Sequence, residues 1–304
     1  MKDLVILIVA AMSFMFAGLA SAQENTPTAP SICQAIAALD GPQWANDGWP
    51  GGHHLGSSQE ATPLLQAAVT THTASTLSAS EVSITYVGHS TFRIEDAEGL
   101  TIATDFAGFA GQNVIPEVVT MNHAHGTHFT VAPDVRIKHV LRGWGLDGKP
   151  AKHYKKIGSA LIRNVTTDIN NQWVGYEPDG NSIFIFEVAG LCIGHLGHLH
   201  QLPSDNHYAQ IGRLDILMVP VDGGYTLNVA DMSKVVKRVN ASMVLPMHWF
   251  GTFSLGNFLE EIRSGFPVDT RTAPQITVSL NTLPTQPTVV VLPPESSFGL
   301  YDGD

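Results

Sequence analysis

The 304-residue chain has few charged side chains and no run of basic ones. Only 14% of its residues are Asp, Glu, Lys or Arg, and the formal net charge is −11. Nucleic acids and anionic membrane surfaces are bound by clustered lysines and arginines. We therefore expect no nucleic-acid partner and no stable membrane partner.

Cysteine is also scarce, with Cys33 and Cys192 as its two occurrences. Two cysteines so far apart form neither a zinc ribbon nor a C-x-x-C redox motif. Either they form a disulfide that pins the N-terminal region to the core, which requires an oxidising compartment, or they are two unrelated cysteines, one of them buried.

Residues 1–22 have the pattern of a secretory signal peptide. Lys2 precedes an apolar stretch over residues 4–18, and residues 20–22 read Ala-Ser-Ala, an A-x-A cleavage site. We therefore expect a periplasmic or secreted protein. The alternative is an uncleaved N-terminal anchor, because Asp3 weakens the basic region.

Composition changes along the remaining chain. Residues 23–80 are predicted to be an N-terminal extension with a polar tether, short helices over 32–39 and 61–71, and a loop rich in Gly, Pro and Trp. Residues 81–304 are predicted to form one domain.

Within that domain, short apolar runs separated by turn residues predict strands from residue 82 onward. The later strands alternate with segments whose apolar residues cover one helical face. This order predicts an α/β fold with a two-layered β core and helices outside. The predicted helices are "SDNHYAQIG", "NVADMSKVVKRVN" and "LGNFLEEIRSG".

Histidines follow three of the predicted strands. In "TMNHAHGTHFT", His123, His125 and His128 come directly after an apolar run. Imidazoles with this spacing at a strand end can converge on one metal ion. The two other groups are "GHLGHLHQ", with His195, His198 and His200, and "VLPMHWFG", with His248.

Taken together, these segments resemble the metallo-β-lactamase superfamily, and within it the branch similar to L-ascorbate 6-phosphate lactonase. The resemblance covers about residues 82–251 and implies an αββα sandwich. The matching segments are "ITYVGHSTFRIE" with "TIATDF", "NHAHGTH" for the H-x-H-x-D-H motif, "GHLGHL" where relatives read H-L-G-D-L, "LDILMVPVDGGYTL" and "LPMHWFG".

The resemblance places His123 and His125 among the ligands of a first metal, and His128 and His248 among those of a second. Three positions depart from the family pattern. Thr127 replaces an aspartate that binds the second metal, and His198 replaces the aspartate that bridges both. A further family histidine is absent, and Asp168 is a polar residue close to its position.

The lost carboxylates favour a single ion. Two divalent ions offset by two carboxylates and a hydroxide leave a net charge of about +1, whereas the same ions with Thr127 and His198 leave about +3, which a low-dielectric pocket disfavours. We therefore expect one ion. Zinc is the first candidate, and iron, manganese and copper are the alternatives. Its predicted ligands are His123, His125 and His198, with His248 or His128 as a fourth; Asp168 or Asp105 is the candidate for restoring a second site.

Without those carboxylates, another group must collect the proton of the attacking water. His128 or His200 is the candidate for this role. His89 and Asp105 lie at strand ends that relatives place beside the site, where they either hold a ligand imidazole or form a buried local pair. His195 is expected to be structural, and Trp144 and Trp249 to line the pocket or the core.

The expected function is that of a metal-dependent hydrolase, in which a metal-bound hydroxide attacks an ester, lactone, amide or phosphodiester in a small-molecule substrate. One alternative is an oxidoreductase or metal-handling protein of the same fold, since an all-nitrogen site also suits copper or iron. Another is a non-catalytic binding module. The oligomeric state is left open.

Overall fold

Fourteen strands and three helices make up the part of the chain that the computed structural model describes, which is residues 30–34, 76–145, 149–171 and 175–296. The elements are β1 (Val82–Gly88), β2 (Thr91–Asp96), β3 (Thr101–Ala103), β4 (Val118–Met121), β5 (His139–Arg142), β6 (Tyr154–Ile157), β7 (Ala160–Asn171), β8 (Gly175–Val188), β9 (Leu191–His195), α1 (Asp205–Ile211), β10 (Ile216–Pro220), α2 (Val229–Val239), β11 (Met243–Met247), α3 (Thr252–Ile262), β12 (Val268–Thr270), β13 (Gln275–Val278) and β14 (Thr288–Val291).

The predicted signal peptide, tether and helix at 61–71 lie outside these ranges, as does most of the predicted helix at 32–39. Among the helices of the described ranges, none has the length and apolar character needed to cross a membrane.

The strands form two sheets. The first has the order β13-β1-β2-β3-β4-β5 and the second the order β12-β14-β11-β10-β9-β8-β7-β6. In the first sheet β3, β4 and β5 run parallel, and in the second β9, β10, β11, β14 and β12 run parallel. Because parallel strands end at the same edge of a sheet, the loops after β9, β10 and β11 meet on one side of the molecule.

A continuous apolar core confirms the predicted α/β sandwich. Rings from both sheets are fully buried in it, including Tyr86 and Phe92 of the first sheet and Phe184 and Phe186 of the second. The three helices are all inserted between strands of the second sheet, and α2 buries one apolar face, as its spacing predicts. A smaller apolar cluster around Met121 is covered by loop residues.

Three strands were not predicted, and all three are edge strands. β13 borders the first sheet, while β6 and β12 border the second. Their residues are mostly exposed or partly exposed, so they lack the apolar alternation that marks a half-buried strand.

The N-terminal segment at residues 30–34 is fastened to the second sheet. A disulfide joins Cys33 to Cys192 of β9, which settles the alternative that the sequence left open. The carboxylate of Glu187 accepts hydrogen bonds from the Ser31 hydroxyl and from the guanidinium of the buried Arg163. This carboxylate is therefore buried together with its countercharge.

We expect loss of the disulfide to lower the free energy of unfolding by about 2–4 kcal/mol, because the cross-link restricts the unfolded chain between two distant positions. Urea unfolding of the wild type and of Cys33→Ser, each with and without reductant, measures this. Reductant should weaken the wild type and leave the variant unchanged. Equal stability of all four samples would contradict the prediction.

Candidate metal centre

Four imidazoles converge where strands end. His125 and His128 lie in the loop after β4, His198 follows β9, and His248 follows β11. One ring nitrogen from each lies within 4.8 Å of the corresponding nitrogens of the other three. Three of the side chains are buried and His125 is partly exposed, so the group faces solvent on the His125 side.

The spacing of these nitrogens suits one ion. The Nε2 atoms of His125 and His198 are 3.2 Å apart, and those of His128 and His248 are 3.1 Å apart. Ligand nitrogens at about 2.0–2.1 Å from a tetrahedral zinc ion lie about 3.3 Å from one another. Both pairs therefore fit two ligands of a shared ion.

Two buried carboxylates fix the orientation of two of the rings. Nδ1 of His128 donates to Asp105 Oδ2 at 2.7 Å, and Nδ1 of His248 donates to Asp222 Oδ2 at 2.9 Å. In a neutral imidazole this leaves a lone pair on Nε2. Two lone pairs facing each other at 3.1 Å repel unless a cation lies between them, so the donor set fits a metal ion.

The other two rings are held by neutral partners. The hydroxyl of Thr127, which stands where relatives have a metal-binding aspartate, bonds to Nδ1 of His125 at 2.8 Å and to Nε2 of His89 at 2.9 Å. Nδ1 of His198 bonds to Nε2 of His200 at 2.6 Å. Thr127 thus orients a ring that carries one of the four nitrogens.

Burial favours the neutral form of three of the imidazoles. It lowers the pKa of His125, His128 and His198 below the ordinary histidine value, and the neighbouring imidazoles lower it further. Neutral rings have the free lone pair that a metal requires. These three rings therefore have lone pairs available at neutral pH.

The pKa values of the two carboxylates are shifted in opposite directions. Burial raises the pKa of Asp105, and the neighbouring histidines and the Asn122 amide oppose this only in part. Burial also acts to raise the pKa of Asp222, but hydrogen bonds from His248 and Thr226 outweigh it and hold the pKa below its usual range. A cation in the centre would favour the ionised form of both.

Left-handed backbone occurs at three residues of this site: His89 (φ 51°), Asp105 (φ 46°) and His248 (φ 54°). Residues other than glycine adopt such angles rarely and at a cost. The backbone there is tied together, since His248 N donates to His89 O at 2.7 Å and the Tyr86 hydroxyl donates to the same oxygen at 2.7 Å. With this backbone conformation the three side chains contact residues of the centre.

Two asparagines hold the histidine loops to the sheets. Asn122 donates to Asp105 Oδ1 at 2.7 Å and accepts from Ser182 N at 2.6 Å. Asn181 accepts from His198 N at 2.8 Å. Gly197, with φ 62°, lies against both amides, and a Cβ there would collide with them.

His123, predicted as a metal ligand, is not one of the four. Its Nδ1 contacts both Glu177 carboxylate oxygens, at 2.7 and 2.9 Å, and its ring stacks on Trp144 with centroids 4.8 Å apart. Its side chain is 40% exposed. The contact with Glu177 and the stacking on Trp144 together hold this ring outside the group of four.

Asp168, also predicted as a ligand, lies outside the group too. It accepts hydrogen bonds from the Tyr176 hydroxyl at 2.8 Å and the Asp179 amide at 3.0 Å. These bonds outweigh the effect of burial and lower its pKa. These two partners belong to β8, and the Gln201 side chain, in the loop after β9, also donates to Asp168, at 3.3 Å, so Asp168 links the β7–β8 hairpin to that loop.

The remaining predicted residues surround the four. His200 joins His198 to Asn170 of β7, with Nδ1 2.7 Å from the Asn170 carbonyl oxygen. His195 is buried, with Nε2 2.8 Å from Ser90 O. Trp249 packs on Tyr86 in the core.

Sequence reasoning missed the roles of several residues: Ser90, Asn122, Glu177, Asn181 and Asp222. Only Asp222 had a usable signal, since it comes shortly after the buried run "ILMVPV" at a strand end.

Four strand-end imidazoles on a two-sheet α/β sandwich define a metal-binding protein of the metallo-β-lactamase fold class. A family model, the beta-lactamase superfamily domain, matches residues 83–248. The chain belongs to this superfamily. Its assignment to the lactonase-like branch stays a prediction.

Similar proteins include a metal-dependent hydrolase of Pyrococcus furiosus, 24% identical over 55% of this chain and 84% of that protein. Another, from Carboxydothermus hydrogenoformans, is 28% identical over the same shares. A crystal structure from Thermotoga maritima, described as a zinc-dependent hydrolase of the metallo-beta-lactamase superfamily, is 28% identical, with a TM-score of 0.50 over 69% of this chain and 98% of that one.

We expect Asp222→Asn to weaken zinc binding about 10- to 100-fold, because His248 loses the carboxylate that orients it. Competition with a chromophoric chelator measures the affinity. Asp168→Asn is the matched control, since Asp168 touches none of the four imidazoles in the described contacts. Equal weakening by both substitutions would contradict this arrangement.

Proposed function

We propose that the protein is a hydrolase that uses one divalent ion, zinc in the first instance, held by His125, His128, His198 and His248. The observation that carries the proposal is that each ring has Nδ1 engaged by a partner and offers Nε2 to a common point. Similar proteins are named metal-dependent hydrolases, which supports the reaction type.

The spacing of the donors supports a single ion. One ring nitrogen from each of the four imidazoles lies within 4.8 Å of the others, and the two Nε2 pairs are 3.2 and 3.1 Å apart, as expected for ligands of one shared ion. Asp105 and Asp222 lie behind two of these imidazoles and, when ionised, contribute about −2, which one divalent ion neutralises.

A bound divalent ion supplies Lewis-acid chemistry, lowering the pKa of a water molecule and polarising the bond under attack. In the hydrolysis of an ester, lactone or amide, the water oxygen joins the acyl carbon and the bond to the leaving oxygen or nitrogen breaks. One proton leaves the water and one reaches the leaving group.

The chain's own contribution is to move that proton. His128 and His200, the predicted candidates, have both ring nitrogens engaged. His89 Nε2 is bonded to Thr127. We assign the role instead to His123, which lies two residues before His125 and whose Nε2 forms no hydrogen bond among the described residues. Glu177 fixes its ring, as carboxylates do for catalytic imidazoles.

We further propose that the protein works in an oxidising compartment, the periplasm or the outside of the cell. The predicted signal peptide supports this location. The Cys33–Cys192 disulfide supports it as well, because such bonds persist where thiols are not kept reduced.

A second function is favoured by the number of imidazoles. Four nitrogen ligands fill a tetrahedral shell, so hydrolysis requires the water to bind as a fifth ligand, and neutral nitrogen donors also suit copper and iron. An oxidoreductase or metal-handling protein is therefore the second candidate. A copper or iron EPR signal in the native protein, without ester hydrolysis, distinguishes it from the hydrolase.

We expect elemental analysis of the native protein to give one divalent ion per chain. Dialysis against a chelator should abolish hydrolysis of a 4-nitrophenyl ester, and added zinc should restore it. Two tightly held ions per chain would contradict the proposed single-ion site, and hydrolysis that survives complete metal removal would contradict the proposed function.

We expect His123→Gln to lower kcat about 10²- to 10⁴-fold while the metal content stays at one ion, because the variant loses the proton acceptor and keeps the ligands. The control is His139→Gln, which alters a partly buried histidine of β5. If His123→Gln instead loses the metal, then His123 is a ligand and this assignment is wrong.

A further inference from the structure

Many of the exposed apolar side chains lie on loops and strand ends that carry or contact residues of the metal centre. The described residues expose eleven large apolar side chains, and six of them lie on the loops and strand ends that carry or contact site residues. A soluble protein seldom gathers exposed apolar residues on one face without a binding function. The six are Val131, Val135, Tyr176, Leu202, Tyr225 and Phe253.

Aromatic rings lead from this surface into the centre. Tyr225, 52% exposed, meets the partly buried Phe250 edge to face, with ring centroids 5.5 Å apart. Phe250 lies 5.1 Å from His248 and 5.7 Å from His89, measured between ring centroids. Phe253, at the start of α3, is 80% exposed. The apolar surface is therefore continuous from solvent to one of the proposed ligands.

The charges beside this surface are negative. The β7–β8 hairpin, which contacts His123 and His200, carries Asp168, Glu177 and Asp179. In the described part of the chain, no lysine or arginine bonds to these carboxylates or to the four imidazoles. These carboxylates would repel a negatively charged substrate.

Arg136 is a cation in the loop that carries His125. Its guanidinium is held by Asp134 of the same loop, with nitrogen–oxygen distances of 2.9 and 2.6 Å. Its charge is therefore offset locally.

We infer that the substrate of this centre is an uncharged ester, lactone or amide whose extended apolar group lies along Tyr225, Phe250 and Phe253. This inference rests on the proposed hydrolase function and narrows it. Among the substrate classes that the sequence allowed, it disfavours phosphodiesters. The apolar group would bury surface that the free protein leaves in water.

The test compares three substrates with one leaving group, using the metal-loaded full chain and monomeric substrate concentrations. They are 4-nitrophenyl acetate, 4-nitrophenyl octanoate and the mono-4-nitrophenyl ester of suberic acid. We expect kcat/KM for the octanoate to exceed that for the acetate about tenfold or more, because the chain is buried. The suberate, whose chain ends in a carboxylate, should lose most of this gain.

Substitution tests whether Tyr225 and Phe253 cause the preference for the longer chain. The double variant Tyr225→Ser with Phe253→Ser should lower the octanoate-to-acetate ratio of kcat/KM about tenfold. Both side chains are exposed, so their replacement leaves the core intact. Val268→Ser is the matched control, an exposed apolar residue at the start of β12, level with the beginning of β11 and away from His248. Its ratio should equal that of the wild type.

Binding separates this inference from the hydrolase proposal. Isothermal titration of the zinc-loaded protein with octanohydroxamate and acetohydroxamate needs no turnover. Tighter binding of the longer compound without any ester hydrolysis would uphold the apolar surface and overturn the hydrolase. Ester hydrolysis with equal rates for both chain lengths would uphold the hydrolase and overturn the apolar surface.

Two further results would overturn the inference. One is a double variant that keeps the wild-type ratio. The other is a dimer, seen by analytical ultracentrifugation, that the double substitution dissociates, because the apolar surface would then belong to a second copy of the chain.

Discussion

The buried hydrogen bond between Asp105 and His128 is the interaction on which the centre depends. Both side chains are fully removed from water, with 2.7 Å between the carboxylate oxygen and Nδ1. An isolated buried carboxylate is costly, and here the Asn122 amide and the imidazole share the compensation. The bond fixes which nitrogen of His128 faces the other rings. The Asp222–His248 bond fixes His248, of the second sheet, in the same way.

The two-sheet architecture brings these pairs together. Asp105 and His128 belong to loops of the first sheet, while Asp222 and His248 follow parallel strands of the second. Each carboxylate stays next to an imidazole of its own sheet, and the two pairs meet through Nε2 atoms 3.1 Å apart. The two carboxylates therefore lie behind the imidazoles, on the side of each ring that faces away from the other pair.

The sequence predicted the sandwich, most interior strands and all three helices, because buried elements leave a periodic apolar signal. Edge strands such as β6 leave none. The sequence also marked all four convergent imidazoles by their place at strand ends. It could not place His123, because Glu177 and Trp144, which hold that ring, are distant in sequence. A motif gives a residue's position along the chain but does not identify the distant residues that orient its side chain.

The left-handed backbone at His89, Asp105 and His248 makes the geometry of the centre depend on the folded state. These conformations exist only while the surrounding core enforces them, and the four donors are scattered in the unfolded chain. The proposed ion would therefore bind the native state more tightly than the unfolded chain and would stabilise the fold. The supply of metal in the surroundings would then help to set how much of the protein survives heat or proteolysis, because the ion would join loops of the two sheets.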